Sequence, residues 1–171
     1  VNRLALAATL ALASACRDDD PPAVRLVVTS DLVPPAELDA IAVTVVGSRS
    51  SERDLLCEPV EHLFPEPDAG TLQLPLQVLV ERGDVYTAWI AFRIEGRRAG
   101  TTIVSREQVV EWPTAGVLEV EVPLERACLD VPCTPAIEQC IRGTCHGVQR
   151  RDIFTDPTLR DPGMPCMENT P

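Results

Sequence analysis

From Val24 onward the chain alternates apolar and polar side chains with a period of two. Val24, Leu26 and Val28 alternate with Arg25 and Thr29, and Ile41, Val43 and Val45 with Ala42 and Thr44. Leu72, Leu74, Leu76, Val78 and Val80 form a third row against Thr71, Gln73, Gln77 and Glu81. Tyr86, Ala88, Ile90, Phe92 and Ile94 oppose Thr87, Arg93 and Glu95; Leu118, Val120, Val122 and Leu124 oppose Glu119 and Glu121. Side chains of a strand point alternately to its two faces, so each run reads as a strand with one face on a core and one in water. Thr101–Ser105 and Gln108–Trp112 are weaker strand candidates.

Turn residues stand between the runs: Pro34-Pro35, Asp68-Ala69-Gly70, Arg82-Gly83-Asp84, Glu95-Gly96 and Ala115-Gly116. Val80–Val85 (VERGDV) and the link from Ile94 to Thr101 are hairpin candidates. Pro75 lacks an N–H for a ladder and points to an edge position or a bulge. Only Pro35 to Asp39 hints at a helical turn. Six to eight short strands without a helical pattern predict a mainly β fold. The expected architecture is an antiparallel β-sandwich, immunoglobulin-like or transthyretin-like in its order, over residues 24–126. That analogy is architectural and carries no function.

Gly47 to Ala69 interrupts the pattern with serines, three prolines and Cys57, and shows no clear strand. Long loops in compact domains serve function or stay disordered. Leu55, Leu56, Leu63 and Phe64 indicate partial packing against the sandwich, and a binding surface would be sought here first.

Composition narrows the class. Hydrophobic residues make up 45% of the chain and mean hydropathy is +0.05, enough to bury a core. Aromatics are only 4%, so that core must be mostly Val, Leu, Ile and Ala. The net charge of -11 argues against nucleic acid, whose phosphates require clustered cations. The sequence contains no Lys, and its 15 basic residues are all Arg. Coding bias accounts for this most simply, and Arg97-Arg98 and Arg150-Arg151 read as solvated charge.

The amino-terminal segment has a different logic. Arg3 supplies a positive charge, Leu4–Leu12 (LALAATLAL) is apolar, and Ala13-Ser14-Ala15-Cys16 closes the run with small residues. This is the layout of an export signal. A dozen residues fall short of the roughly 20 needed to cross a bilayer. With Cys16 directly after the small residues, the segment resembles the lipobox of bacterial lipoproteins. The resemblance implies a signal peptide over residues 1–15 and a diacylglyceryl group on the Cys16 thiol. The expected partner is then the membrane, through that covalent lipid. The expected location is the bacterial cell envelope, the outer membrane in preference to the inner, facing periplasm or cell surface. Ala13-Ser14-Ala15 also fits the pattern for ordinary signal cleavage, which would release a soluble product beginning at the same cysteine. Residues 16–23 (CRDDDPPA) cannot bury surface and read as a tether.

Seven cysteines are an odd number, and lipid on Cys16 leaves six that can pair. Cys128, Cys133, Cys140 and Cys145 lie close together, with Pro132, Pro135 and Gly143 between them. So dense a set in an oxidising compartment reads as a small module over residues 127–146 held by two bridges. Alternating bridges, first to third and second to fourth, are preferred, though sequence alone leaves the connectivity open. Zinc is the weaker reading, since four residues separate each close pair and structural sites favour two. Cys57 and Cys166 remain; they tie the long insertion to the tail or stay as thiols. The segment also looks like the cysteine-rich ends of bacterial surface lipoproteins in which a β-domain closes with a strand and then an ACxxxxC…C…C module. The resemblance covers the lipobox, Val117–Leu124 and Cys128–Cys145, and implies location and architecture but no activity. Residues 147–171 read as a loosely ordered tail.

No catalytic constellation stands out. His62 and His146 are the only imidazoles, no G-x-S-x-G turn exists, and His62 with Glu58 and Glu61 lacks H-E-x-x-H spacing. No metal or cofactor is expected. Trp89 and Trp112, with Tyr86, are candidates for an aromatic sugar platform. The expected function is therefore a non-catalytic structural or protein-binding domain of the envelope. A carbohydrate-binding module is the alternative, and a cell-envelope hydrolase a third reading. Exposure of both tryptophans on one flat face favours sugar; burial of both favours a scaffold.

Overall fold

The structure, a computed structural model, describes residues 21–47, 56–66, 70–82, 89–134, 138–147 and 160–165. Residues 1–15, expected as a signal peptide, and Cys16, Tyr86, Cys166 and the side chain of Cys57 lie outside the described residues. The fold is mainly β, with strands β1 (Ala23–Ser30), β2 (Ala40–Gly47), β3 (Leu56–Glu58), β4 (Val60–Phe64), β5 (Leu76–Glu81), β6 (Trp89–Arg98), β7 (Thr101–Glu111) and β8 (Val117–Leu124). A 3-10 turn (Arg126–Cys128) leads to β9 (Glu138–Ile141), β10 (Thr144–Gly147) and β11 (Arg160–Pro165).

Two sheets make a sandwich. One has the order β5-β1-β8 and the other β4-β2-β6-β7. The four-stranded sheet is antiparallel throughout. The three-stranded sheet pairs β1 with β5 antiparallel, but β1 with β8 in parallel. This last pair departs from the all-antiparallel expectation. Parallel neighbours need a long crossover, and here the connection from β1 to β8 runs through the rest of the sandwich.

The rows read from sequence form the core. Val24, Leu26 and Val28 from β1 and Ile41, Val43 and Val45 from β2 are almost wholly buried, as are Ile90, Phe92 and Ile94 from β6. Val80, Val122 and Leu124 close the opposing side, and all of these residues join one cluster. Phe92 is the one aromatic among the largest fully buried side chains. The interior thus depends on many aliphatic side chains, each contributing about 1.5–3 kcal/mol on burial. Leu32 and Leu38, from the loop between β1 and β2, are buried in the same cluster. The helical hint there is one turn, closed by Glu37 N–H donating to Val33 O at 2.9 Å.

Four expectations are revised. The stretch from Gly47 to Ala69 contains β3 and β4, and β4 pairs with β2 along the sheet edge. The pattern was masked because β4 is only five residues long, sits between Pro59 and Pro65, and places His62 in its inner row. Second, β5 and β6 belong to different sheets and so do not pair as a hairpin; residues 83–85 of VERGDV lie outside the described residues. Third, the two weak candidates around Ser105 and Gln108 are one strand, β7. Its inner row runs Val104, Arg106, Gln108 and Val110 opposite Gly96, Ile94, Phe92 and Ile90, and the two polar members broke the apolar rhythm. Fourth, the expected loose tail contains β11, which pairs in parallel with β3. Its sequence, RDPGMP, shows no apolar alternation.

Two expectations hold closely. The β6–β7 link is a two-residue hairpin turn with Ala99 at φ 50° and Gly100 at φ 77°. Two positive φ angles match the right-handed twist of paired strands. Pro75 directly precedes β5, an edge strand.

Candidate functional site

The cysteine-rich segment follows directly from β8. Two bridges hold it, Cys128–Cys140 and Cys133–Cys145, with Cα–Cα distances of 5.6 and 5.5 Å. This is the alternating connectivity. The β9–β10 hairpin places Cys140 opposite Cys145, so each of these neighbours is tied to a different upstream cysteine. The hairpin turns through Arg142 at φ 50° and Gly143 at φ 77°. A Cβ on Gly143 would stand 3.1 Å from Ala127 O, and the positive φ adds to the preference for glycine.

The module is docked on the sandwich. Cys128 and Cys140 are 5% and 7% exposed and belong to the core cluster, with Leu129, Val131 and Cys133 packed against it. Arg106, on the inner row of β7, donates through Nη1 to Cys140 O at 2.5 Å. Burial pushes the Arg106 guanidinium below its ordinary pKa, partly offset by the Glu125 charge. Glu107 N–H donates to Gln139 Oε1 at 3.3 Å, and Arg142 N–H to Glu125 Oε2 at 2.8 Å. Sequence reading missed Arg106. Its signal was an arginine at a core-facing position, which makes sense only at a sheet edge where another element supplies an acceptor.

A second junction ties Arg126, the residue just before the module, to the loop after β1. Arg126 pairs with Glu37 through both guanidinium termini and donates to Asp31 O at 3.0 Å. Its backbone N–H reaches Asp31 Oδ1 at 2.6 Å. The Arg126 guanidinium and the Val33 N–H hold the Glu37 carboxyl down at about 2, from an ordinary 4.5.

Between the first half of β7 and the module lies an open cleft of about 380 Å³. Ile103, Val104, Val131 and the Cys128–Cys140 bridge give it an apolar floor, with Asp130 and Glu138 among its polar lining.

Trp89 and Trp112 stand at one end of the four-stranded sheet. Trp89 pairs with Glu111, so Trp112 follows one residue beyond. Alternation sends Trp89 to the outer face and Trp112 to the inner side after Val110. Both are buried, at 6% and 7% exposure, and both join the core cluster. They present no shared flat face. Val46 and Ala91 share the outward parity of Trp89 and are also buried. The other half of that face carries ion pairs. Arg93 meets Glu107 at 2.8 Å, and Arg97 meets Glu61 at 2.9 Å and Glu95 at 2.7 Å.

The histidines are not brought together. His62 sits on β4 opposite Val43. Its Nε2 is buried and makes no hydrogen bond among the described residues. His146 is exposed on β10 opposite Gln139. Glu61, a neighbour of His62 in sequence, is committed to Arg97. Among the described residues, no three His, Cys, Asp or Glu side chains gather to hold a metal ion, and no helix is long and apolar enough to cross a membrane.

Disulfides form and persist outside the reducing cytosol. The two bridges therefore belong to an oxidising, extracytoplasmic compartment. Comparison with protein-family models, curated proteins and solved structures finds no match to this chain.

Proposed function

We propose that this protein is a lipid-anchored domain of the bacterial cell envelope, outer membrane in preference to inner, that acts without catalysis as a structural or protein-binding element. The observation carrying the reading is the doubly bridged module packed into the sandwich core, a construction suited to an exported protein. Leu4–Cys16, with its short apolar run and terminal cysteine, supports export and lipidation at Cys16. Two or three acyl chains hold a protein durably where one holds it marginally, at about 0.8 kcal/mol per buried CH₂. Residues 16–23 then space the sandwich from the bilayer surface.

Burial of Trp89 and Trp112 supports the scaffold in preference to the sugar platform. The test is fractionation of the full chain expressed in a Gram-negative host. The native sequence is expected in the membrane pellet, resisting salt and released by detergent. Cys16→Ala is expected in the soluble exported fraction or retained with an uncleaved signal. A native chain recovered wholly soluble would refute the anchor.

A further inference from the structure

We infer that the end of the sandwich where β1 begins is a lipid-contacting surface, seated on the zwitterionic phospholipid headgroups of the membrane that anchors Cys16. This rests on the lipid anchor proposed above and adds to it a membrane-facing surface of the folded domain.

Strands from the three-stranded sheet converge at this end. β1 starts there at Ala23, and β8 starts beside it at Val117 in parallel register. β5 finishes opposite Ala23 at Glu81. The link from β7 into β8 closes the end, with Ala23 N–H donating to Gly116 O at 3.0 Å and Arg82 N–H to Pro22 O at 2.8 Å. Charged residues make up 24% of the chain, yet residues 21–24 (PPAV) and 112–118 (WPTAGVL) contain none. Pro21, Ala115, Val117 and Leu118 are exposed.

Leu118 stands at a core-row position beside Val24, which is wholly buried, yet Leu118 is 37% exposed. The apolar row of β8 therefore runs out of the sandwich at this end. Val117, on the outward parity opposite Ala23, is 46% exposed. The opposite end of the sandwich is charged, with Asp31, Glu37, Asp39 and Arg126 joined in hydrogen bonds.

What covers the uncharged end follows from where the anchor joins it. Cys16 and Pro21 are five positions apart in the chain. Such a segment spans about 18 Å at full stretch, so lipid on Cys16 keeps this end within that distance of the headgroups. Apolar side chains presented at that level lower their free energy by entering the boundary between headgroups and acyl chains. Taking the exposed parts of Val117 and Leu118 out of water favours the seated state by roughly tenfold. Charge selects the kind of lipid. Glu81 and Glu119 stand at the rim, where Arg25 pairs with Glu119 at 3.6 Å, and the chain's net charge is -11. Anionic lipid repels such a rim, so headgroups of no net charge are its match.

The test is backbone hydrogen exchange of the full lipidated chain in sparsely loaded nanodiscs of phosphatidylethanolamine and phosphatidylcholine. The native chain is compared with Val117→Asp and, separately, with Ala115→Asp, which changes an exposed loop position outside any strand. Amides of residues 113–118 are expected to exchange roughly tenfold more slowly in the native chain than in either variant, after allowance for the altered intrinsic rates. Amides of β2 should exchange alike in all three, and replacing part of the lipid by phosphatidylglycerol should weaken the native protection. Equal exchange at 113–118 in chains that all remain in the discs would overturn the contact and leave the anchor standing. Protection that grows with the number of chains in a disc would assign the surface to a second copy, and would overturn the proposal as well. Chains lacking lipid and failing to enter the discs would refute the anchor, and this surface with it.

Discussion

Arg106 and Cys140 are joined across the seam between sandwich and module, the guanidinium Nη1 donating to the carbonyl oxygen at 2.5 Å. A charged donor here lies among the core-facing positions of β7, between Val104 and Gln108. Hydrogen bonds involving a charged group contribute about 1.5–3 kcal/mol. Arg106→Ala is therefore expected to lower unfolding stability by about that amount. It should also speed hydrogen exchange at the backbone amides of β9 and β10 more than at those of β2. Uniform loss across both regions would show that the contact does not hold the module in particular.

Among the described glycines, Gly96 leaves the least room for a side chain. A Cβ there would lie 2.8 Å from Val104 Cγ1 and 2.9 Å from Leu38 Cδ1, with Leu124 Cδ1 at 3.3 Å. Overpacking a filled core costs about 1–3 kcal/mol. Gly96→Ala is expected to lower Tm by roughly 3–10 °C. Gly70→Ala, with open space around the added carbon but φ at 87°, separates backbone strain from this steric effect. Calorimetry on the two variants reads both.

The Glu37–Arg126 pair sets an acid limit at the same seam. Its carboxyl titrates near 2 when folded, against 4.5 ordinarily, so the folded state favours the ionised form. The resulting stability is complete above about pH 4.5 and is lost as pH falls toward 2. Glu37→Gln is expected to be less stable than the native chain at pH 6, with the two curves converging by pH 2. Denaturant titrations across that interval measure the difference. A gap that persists unchanged at pH 2 would contradict the pairing. Arg126 is exposed and Glu37 only half-buried, so salt should shrink the effect.

The two bridges differ in setting. Cys128–Cys140 lies in the core, whereas Cys133 and Cys145 are half-buried. Each spans a sequence separation of 12, for which restriction of the unfolded chain contributes about 3 kcal/mol. The double variant Cys133→Ala with Cys145→Ala should lose about that much. The pair Cys128→Ala with Cys140→Ala should lose more, because sulfur packed into the core disappears as well. Under graded reductant, alkylation is expected at Cys133 and Cys145 first. Chemical denaturation and mass spectrometry check the two statements separately.

Much of the sandwich was legible because solvent and core sort side chains with a period of two. The rows through Leu26, Val43, Phe92 and Val122 could be read directly; the cysteine module could be read too, but its crossed connectivity was only the preferred one of several until the structure paired the sulfurs. What escaped was long-range or polar. The parallel β1–β8 pair joins segments far apart, and no local pattern distinguishes it from an antiparallel one. β4 hides between two prolines with His62 on its inner row, and β11 contributes backbone pairing without an apolar rhythm. Arg106 looked like an interruption of a core row because its acceptor, Cys140 O, lies in another element. Trp89 and Trp112 were placed on the sheet by sequence. Strand parity alone turns Trp89 away from the row of Ile90 and Phe92; that Trp112 stands at the same end of the sheet follows from the Trp89–Glu111 pair, which only the register reveals.

The account turns on Cys16, and mass spectrometry of the amino-terminal tryptic fragment from the exported protein tests it most directly. The predicted result is a fragment beginning at Cys16, its sulfur carrying a diacylglyceryl thioether. An unmodified Cys16, recovered from a chain that stays in aqueous buffer without detergent, would contradict it.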